Sequence, residues 1–166
     1  FSLSQAIQSA LDLQGDALCK RGIDISVTVA PLADLVTLPH NRLLQALVNA
    51  IRNGFESIEA RRQKENFSGR LQVRADVLGT DRLRLEVADN GIGFDAATRE
   101  HLFRFGYSTK QRGRGFGLHS VAMFAQEVGG TVSLDSDGPG QGARLVLELP
   151  LRSGERNGTG ESREGQ

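Results

Sequence analysis

The sequence predicts an α+β fold, with helices packed on one face of a mixed, mostly antiparallel sheet. Three observations carry that expectation. The segments with helix or strand periodicity run in the order α-β-α-β-β-α-α-β-β. Two pairs of alternating segments, 70–78 with 82–88 and 131–135 with 143–149, each flank a turn. One long segment, 40–62, carries an apolar stripe at helical spacing and so needs a second layer to cover it. A length of 166 residues suits one domain. The expected bounds are 1–151 for that domain and 152–166 for a disordered tail, since the tail has no apolar residue.

Residues 3–20 place Leu3, Ile7, Ala10, Leu11 and Leu18 near helical spacing, with Gly15 weakening the helix and Gly22 fit to end it. In 23–29, Ile23, Ile25, Val27 and Val29 alternate with Asp24, Ser26 and Thr28, which reads as a strand with one buried face. Pro31 and Pro39 bracket the next connection. In 40–62 the stripe is Leu44, Leu47, Ile51, Phe55 and Ile58. Gly79-Thr80-Asp81 joins the first hairpin. Residues 89–94 fit no regular element, and 95–103 suit a short helix capped by Asp95. From 117 to 129 helical spacing returns through Leu118, Val121, Ala122, Ala125 and Val128, until Gly129-Gly130 stops it.

Composition excludes several classes. Lys plus Arg and Asp plus Glu are 20 each, so a uniformly basic nucleic-acid binder is disfavoured. No apolar run is long enough for a membrane-spanning helix. One cysteine, Cys19, excludes an internal disulfide and a cysteine-rich zinc site. The chain starts at Phe1 without a signal peptide and reads as a piece of a larger protein from a reducing compartment; a cytoplasmic location is expected for this piece, whether or not the parent protein is anchored in a membrane. Glycine is concentrated: 11 of 20 lie between Gly91 and Gly142, a stretch that also holds most of the aromatics.

Three places carry chemistry. Asn49 and Asn53 lie four apart and share one helix face, read as opposite the apolar stripe. A solvated face would favour Glu, Lys or Gln; paired Asn side chains instead offer neutral carbonyl oxygens, which suit a hard cation such as Mg²⁺ completed by phosphate and water. Asp89-Asn90-Gly91-Ile92-Gly93-Phe94 follows a strand. It is an ordinary turn composition. It is also a carboxylate able to accept from an exocyclic amine, beside glycines that let a flat ring approach the backbone. In 104–117, Arg104, Lys110, Arg112 and Arg114 are interleaved with Gly106, Gly113, Gly115 and Gly117, just ahead of a helix start that suits phosphate. It is neither a Walker loop nor a dinucleotide-binding fingerprint.

Together these segments resemble the ATP-binding catalytic domain of a sensor histidine kinase, in the superfamily shared with gyrase, the large heat-shock chaperone and the mismatch-repair ATPases. Leu43-Leu44-Gln45 through Asn53 is similar to the N box, Asp89 through Phe94 to the G1 box, Leu102 through Lys110 to the F box, and Gly113 through Leu118 to the G2 box. Gly140-Gln141-Gly142 resembles the last glycine motif. All five come in the family order, over roughly residues 3–151.

The resemblance implies a two-layer α/β sandwich, the Bergerat ATP-binding fold, with a mobile ATP lid. It implies ATP and Mg²⁺ as ligands, with Asn53 coordinating Mg²⁺ and Asn49 near the phosphates. Asp89 would read the adenine amino group, with Gly91 and Gly93 lining the base pocket. Lys110, Arg112, Arg114, Gly115, Phe116, Gly117 and Leu118 would form the lid and its contacts to the triphosphate. Asn49 and Lys110 would be the catalytic pair. The implied activity is transfer of the γ-phosphate to a histidine on a separate dimerisation domain of the same protein, and onward to a response regulator.

Departures matter. Hydrolysing relatives carry Glu where Asn49 stands, and Asn cannot serve as a general base, which favours transfer over hydrolysis. Gly54 replaces the usual Ala after the second Asn, and Ala143-Arg144 stands where many relatives have a hydroxyl. His40, His101 and His119 do not cluster at metal spacing. None is followed by an acidic residue as the family's phosphoacceptor is, so the acceptor helix is expected ahead of Phe1. Two rival readings fit parts of the sequence. Arg114-Gly115-Phe116-Gly117 opens like an RNA-recognition motif, but helical spacing follows it instead of a strand. An anti-sigma-type serine kinase, or a degenerate interaction module, would keep the fold and change the function.

Overall fold

The computed structural model describes residues 2–14, 22–35, 39–99 and 115–151. Helix α1 spans Leu3–Leu13 and is followed, after a gap, by strand β1 at Asp24–Val29 and a 3₁₀ turn at Ala33–Leu35. Helix α2 runs His40–Arg62, strands β2 and β3 Arg70–Leu78 and Arg82–Asp89, and the short helix α3 Ala96–Arg99. Helix α4 spans Gly115–Glu127, and β4 and β5 are Thr131–Asp135 and Ala143–Pro150. The sheet order is β1-β2-β3-β5-β4. β1 and β2 are parallel, while the other three neighbours are antiparallel. This is the expected helix-covered mixed sheet.

Alternation along the strands builds the core. Leu71, Val73 and Ala75 on β2, Leu83, Leu85 and Val87 on β3, and Leu145, Leu147 and Leu149 on β5 are buried on one face. Val73 and Leu145 both pair with Val87, and Ala75 and Leu147 with Leu85, so apolar rows run straight across the sheet. The opposite face is charged: Arg82 pairs with Glu148 at 3.0 Å and Arg84 with Glu86 at 3.2 Å. Such exposed pairs add little stability, about 0–1 kcal/mol each. They keep that face wet and leave the helices to the other.

The three longer helices cover the apolar face. α1 opens on a capping box in which Ser2 Oγ accepts from the Gln5 amide at 3.2 Å and Gln5 Oε1 from the Ser2 amide at 3.0 Å. The helix ends at Leu13; the remainder of the expected segment, 15–20, lies outside the described residues. β1 differs from expectation. Val27 is 40% exposed, and Ile25 and Val29 are only half-buried. As the outermost strand it has a neighbour on one side only. α4 begins two residues ahead of Gly117 and buries Leu118, Val121, Phe124 and Ala125. Arg42 near the start of α2 forms an ion pair with Glu127 at the end of α4. Gly129, at φ +76°, then turns the chain into β4, and the Gly130 amide bonds the Ala125 carbonyl at 2.7 Å.

α2 is the central helix, and its buried face is wider than the expected stripe and centred to one side of it. Leu47, Ile51 and Ile58 are buried, but Leu44 and Phe55 are only half-buried. A second buried line runs beside them through the small residues Ala46, Ala50, Gly54 and Ser57. Small side chains let the helix axis approach the sheet. At Gly54 a Cβ would stand 2.6 Å from Leu71 Cδ1. Its loss of helix propensity, about 1 kcal/mol, is offset by this close approach. Among the described residues no helix is long and apolar enough to cross a membrane.

Candidate functional site

The site begins with strand periodicity. Leu83, Leu85 and Val87 face the helices, and Asp89 is next in that phase. A carboxylate therefore ends an apolar row at the last register of β3, between Leu71 on β2 and Ala143 on β5. It lies under α2: a Cβ on Gly54 would be 3.7 Å from Asp89 Oδ2. Two donors converge on its other oxygen. Ser57 Oγ donates to Oδ1 at 2.8 Å, and the Gly91 amide donates to the same atom at 2.8 Å. Charge-assisted bonds of this kind are about twice as strong as neutral ones.

The loop after Asp89 is pressed against α2. A Cβ on Gly91 would meet Ser57 Oγ and the Ser57 carbonyl carbon at 2.3 Å. The next amide, Ile92, donates to the Ser57 carbonyl at 2.9 Å. Gly93 has φ +61°, and its Cβ would strike the Gly138 carbonyl at 2.4 Å and Ser136 Oγ at 2.6 Å. The expected glycines thus serve first to bring α2, the 90–95 loop and the 136–142 loop together around Asp89. The last loop is tied in by the Gly142 amide on the Gly91 carbonyl at 3.0 Å and the Gly140 amide on the Ile92 carbonyl at 2.5 Å. Gly142, at φ +72°, is packed so that a Cβ would lie 2.0 Å from the Asp89 carbonyl oxygen.

Asn49 and Asn53 require a correction. They are not opposite the buried face of α2. Both are half-buried and adjoin it, Asn53 lying one turn before Ser57 and Asn49 one turn before Asn53. The error came from centring the buried arc on the largest side chains, whereas the small ones lie closest to the sheet. Both residues therefore lie beside the buried face of α2, on the flank that carries Ser57, the partner of Asp89. Gly115, Phe116 and Gly117 form the first turn of α4, and Leu118 is buried in the core. Lys110, Arg112 and Arg114, and with them the part of the expected lid before Gly115, lie outside the described residues.

Three contributors were not expected. Ser57 supplies the hydroxyl on Asp89, while Ala143 is an apolar strand partner. Its signal was present, as a polar residue four positions after Asn53 on the same face. Ser136 Oγ is a hub, in contact with the Gly142 carbonyl at 2.6 Å and the Gly138 carbonyl at 3.1 Å, and accepting from the Phe94 amide at 3.2 Å. Arg61 braces the loop from behind. Its Nη1 donates to the Asn90 carbonyl at 2.6 Å, and its guanidinium sits 4.1 Å from the Phe67 ring centre. Asn90 in turn holds Ser68 and the first residue of β2, donating to the Ser68 carbonyl at 2.8 Å and accepting from the Arg70 amide at 2.7 Å. Asp95 caps α3 as expected, accepting from the Thr98 amide at 2.8 Å, which holds its carboxyl below the ordinary value.

Fold and site define an α/β-sandwich domain whose central strand ends in a carboxylate walled by glycine loops and roofed by an Asn-bearing helix. The chain belongs to the family of histidine kinase-, DNA gyrase B- and HSP90-like ATPases, whose model matches residues 39–153. The sensor histidine kinase ZraS of Klebsiella oxytoca is 28% identical over 158 residues, covering 95% of this chain and 32% of that protein. The catalytic domain of the histidine kinase ThkA shares the fold with a TM-score of 0.75 at 23% identity, over 91% of this chain and 95% of that one. Full-length ShkA, solved in complex with AMPPNP, aligns with a TM-score of 0.76 at 25% identity, over 91% of this chain and 30% of that one. The chain thus spans about a third of the length of ZraS.

Proposed function

We propose that the chain binds Mg²⁺-ATP at Asp89 and the Asn49/Asn53 side of α2, and serves as the phosphate-donating domain of a sensor kinase. The observation that carries this is the carboxylate of Asp89. It is fixed by Ser57 and Gly91 beneath loops whose backbone leaves no room for Cβ atoms. A fixed carboxylate at the end of an apolar row suits a donor on a flat, mostly apolar base. The nucleotide in ShkA supports the ligand class.

The residues fit the metal as well as the base. Asn49 and Asn53 offer neutral carbonyl oxygens one turn apart on α2. Asn53 would hold Mg²⁺ with few protein ligands, as that ion accepts. When bound, the ion would neutralise phosphate charge. Asn49 would orient the phosphates without activating water, which favours transfer to a protein acceptor. Lys110, Arg112 and Arg114 would close over the triphosphate, and the N-terminal turn of α4 at Gly115, Phe116, Gly117 and Leu118 would face it. The acceptor would be a histidine on a dimerisation domain of the same protein, and a response regulator would take the phosphate from there. The chain's contribution is positioning and charge stabilisation.

Calorimetric titration with a non-hydrolysable ATP analogue and Mg²⁺, with Asp89→Asn alongside, tests the reading. Binding by the wild type that is lost in the variant supports it. A folded wild type that binds no nucleotide would remove it and leave a protein-interaction module.

A further inference from the structure

We infer that Ser57 is a positioning residue for the base-reading carboxylate, and that its hydroxyl sets the preference for a purine carrying an exocyclic amine. The inference rests on the nucleotide reading above and deepens it. Ser57 is 7% exposed, a polar side chain on a buried helix face otherwise made of Leu, Ile, Ala and Gly. A buried hydroxyl needs a partner, and this one has Asp89 Oδ1 at 2.8 Å. The hydroxyl is confined. The Gly91 backbone leaves no room for a Cβ beside it, and the Ser57 carbonyl is bonded to the Ile92 amide at 2.9 Å.

The consequence is directional. Asp89 Oδ1 takes one bond from the helix and one, from Gly91, out of its own loop. Both bear on the torsion of the carboxyl plane. Without the Ser57 bond the helix loses its hold on that plane, whose Cβ–Cγ torsion has a broad, roughly two-fold profile. An amine donor on a base demands a lone pair at a set angle. Hypoxanthine, the base of IDP, has an oxygen in place of that amine and gains nothing from that orientation. Ser57 should therefore act on discrimination between the two bases more than on nucleotide binding as such.

The test is calorimetry with ADP and with IDP, both with Mg²⁺, on the wild type, Ser57→Ala and Ser57→Cys. Ala raises helix propensity and fits the space, so it is expected to fold; Cys retains a weak donor. The wild type should prefer ADP. Ser57→Ala should lower the ADP-to-IDP affinity ratio by about tenfold, the loss of one charge-assisted bond at its lower end, with IDP affinity unchanged. Ser57→Cys should fall between. Equal loss of both ligands, an unchanged ratio, or tighter ADP binding would overturn the role of Ser57 while Asp89→Asn still reports on the site. A wild type that binds neither ligand would overturn the nucleotide reading and this inference with it.

Discussion

The backbone of Gly91 lies so close to Ser57 that a Cβ would stand 2.3 Å from that residue's hydroxyl and its carbonyl carbon. Neither of those atoms is the loose end of a long side chain. The carbonyl carbon belongs to the middle of α2, and the hydroxyl is bonded to Asp89. Gly91→Ala must therefore push the 90–95 loop off the helix. Overpacking of this kind costs about 1–3 kcal/mol. The expected outcome is a lower denaturant midpoint together with weakened nucleotide binding. Gly22→Ala is the control. It sits at φ +61° with nothing within 4 Å, so it carries backbone strain alone and should leave binding intact. Equal binding defects in both variants would show that the contact with Ser57 is not what matters.

Ser136 is the counterpart on the other loop. One hydroxyl reaches the Gly142 and Gly138 carbonyls and receives the amides of Phe94 and Gly138. Ser136→Ala leaves these half-buried groups to find other partners, at a cost of about 1–3 kcal/mol. Hydrogen exchange gives the specific check. The amides of Phe94 and Gly138 should exchange faster, while the strand amides of β3 keep their protection. Uniform acceleration across the sheet would indicate global destabilisation instead.

Much of this arrangement was legible because strand periodicity is local. Leu83, Leu85 and Val87 set a phase, and Asp89 falls into it, so a carboxylate on the helix-facing side follows from the sequence. The hairpins and the Asp95 cap are likewise fixed by neighbours within a few residues. The orientation of Asn49 and Asn53 was misread for a different reason. Large apolar residues such as Leu44 and Phe55 dominate a hydrophobic stripe, yet Ala46, Ala50, Gly54 and Ser57 face the closest approach because they are small. The hydroxyls stayed hidden because their partners are distant or sit in ordinary turns. Ser57 and Asp89 are 32 residues apart, and Ser136 opens a segment that reads as turn composition.

The N-terminal helix gives a pH-dependent prediction. Asp34 in the 3₁₀ turn accepts the Ser4 amide at 2.7 Å and the Ser4 hydroxyl at 2.9 Å, and so anchors the first turn of α1. The backbone bond, then the hydroxyl bond, hold its carboxyl below the ordinary value of 3.8. A lowered carboxylate pKa contributes stability that is fully present above the unfolded value and lost as pH falls through the folded one. Asp34→Asn should thus melt at a lower temperature than the wild type at neutral pH. The gap should hold until pH reaches about 4 and close below it. A gap independent of pH would mean that the charge contributes nothing.

Asn53 separates metal binding from folding. It sits in the interior of α2, where Asn is a poorer helix former than Ala, and it is half-buried between Asn49 and Ser57 on one face. Asn53→Ala should leave the melting temperature unchanged or slightly raised, since it improves helix propensity. If Asn53 supplies the oxygen that holds Mg²⁺, the variant should bind nucleotide with the same affinity in Mg²⁺ as in EDTA. The wild type should bind more tightly with the metal. If Asp89 reads the base, as proposed, the metal-free affinity should be the same in both proteins. A variant that keeps the full metal dependence would assign the ion to another oxygen. A variant that loses metal-free affinity as well would assign Asn53 to the nucleotide itself.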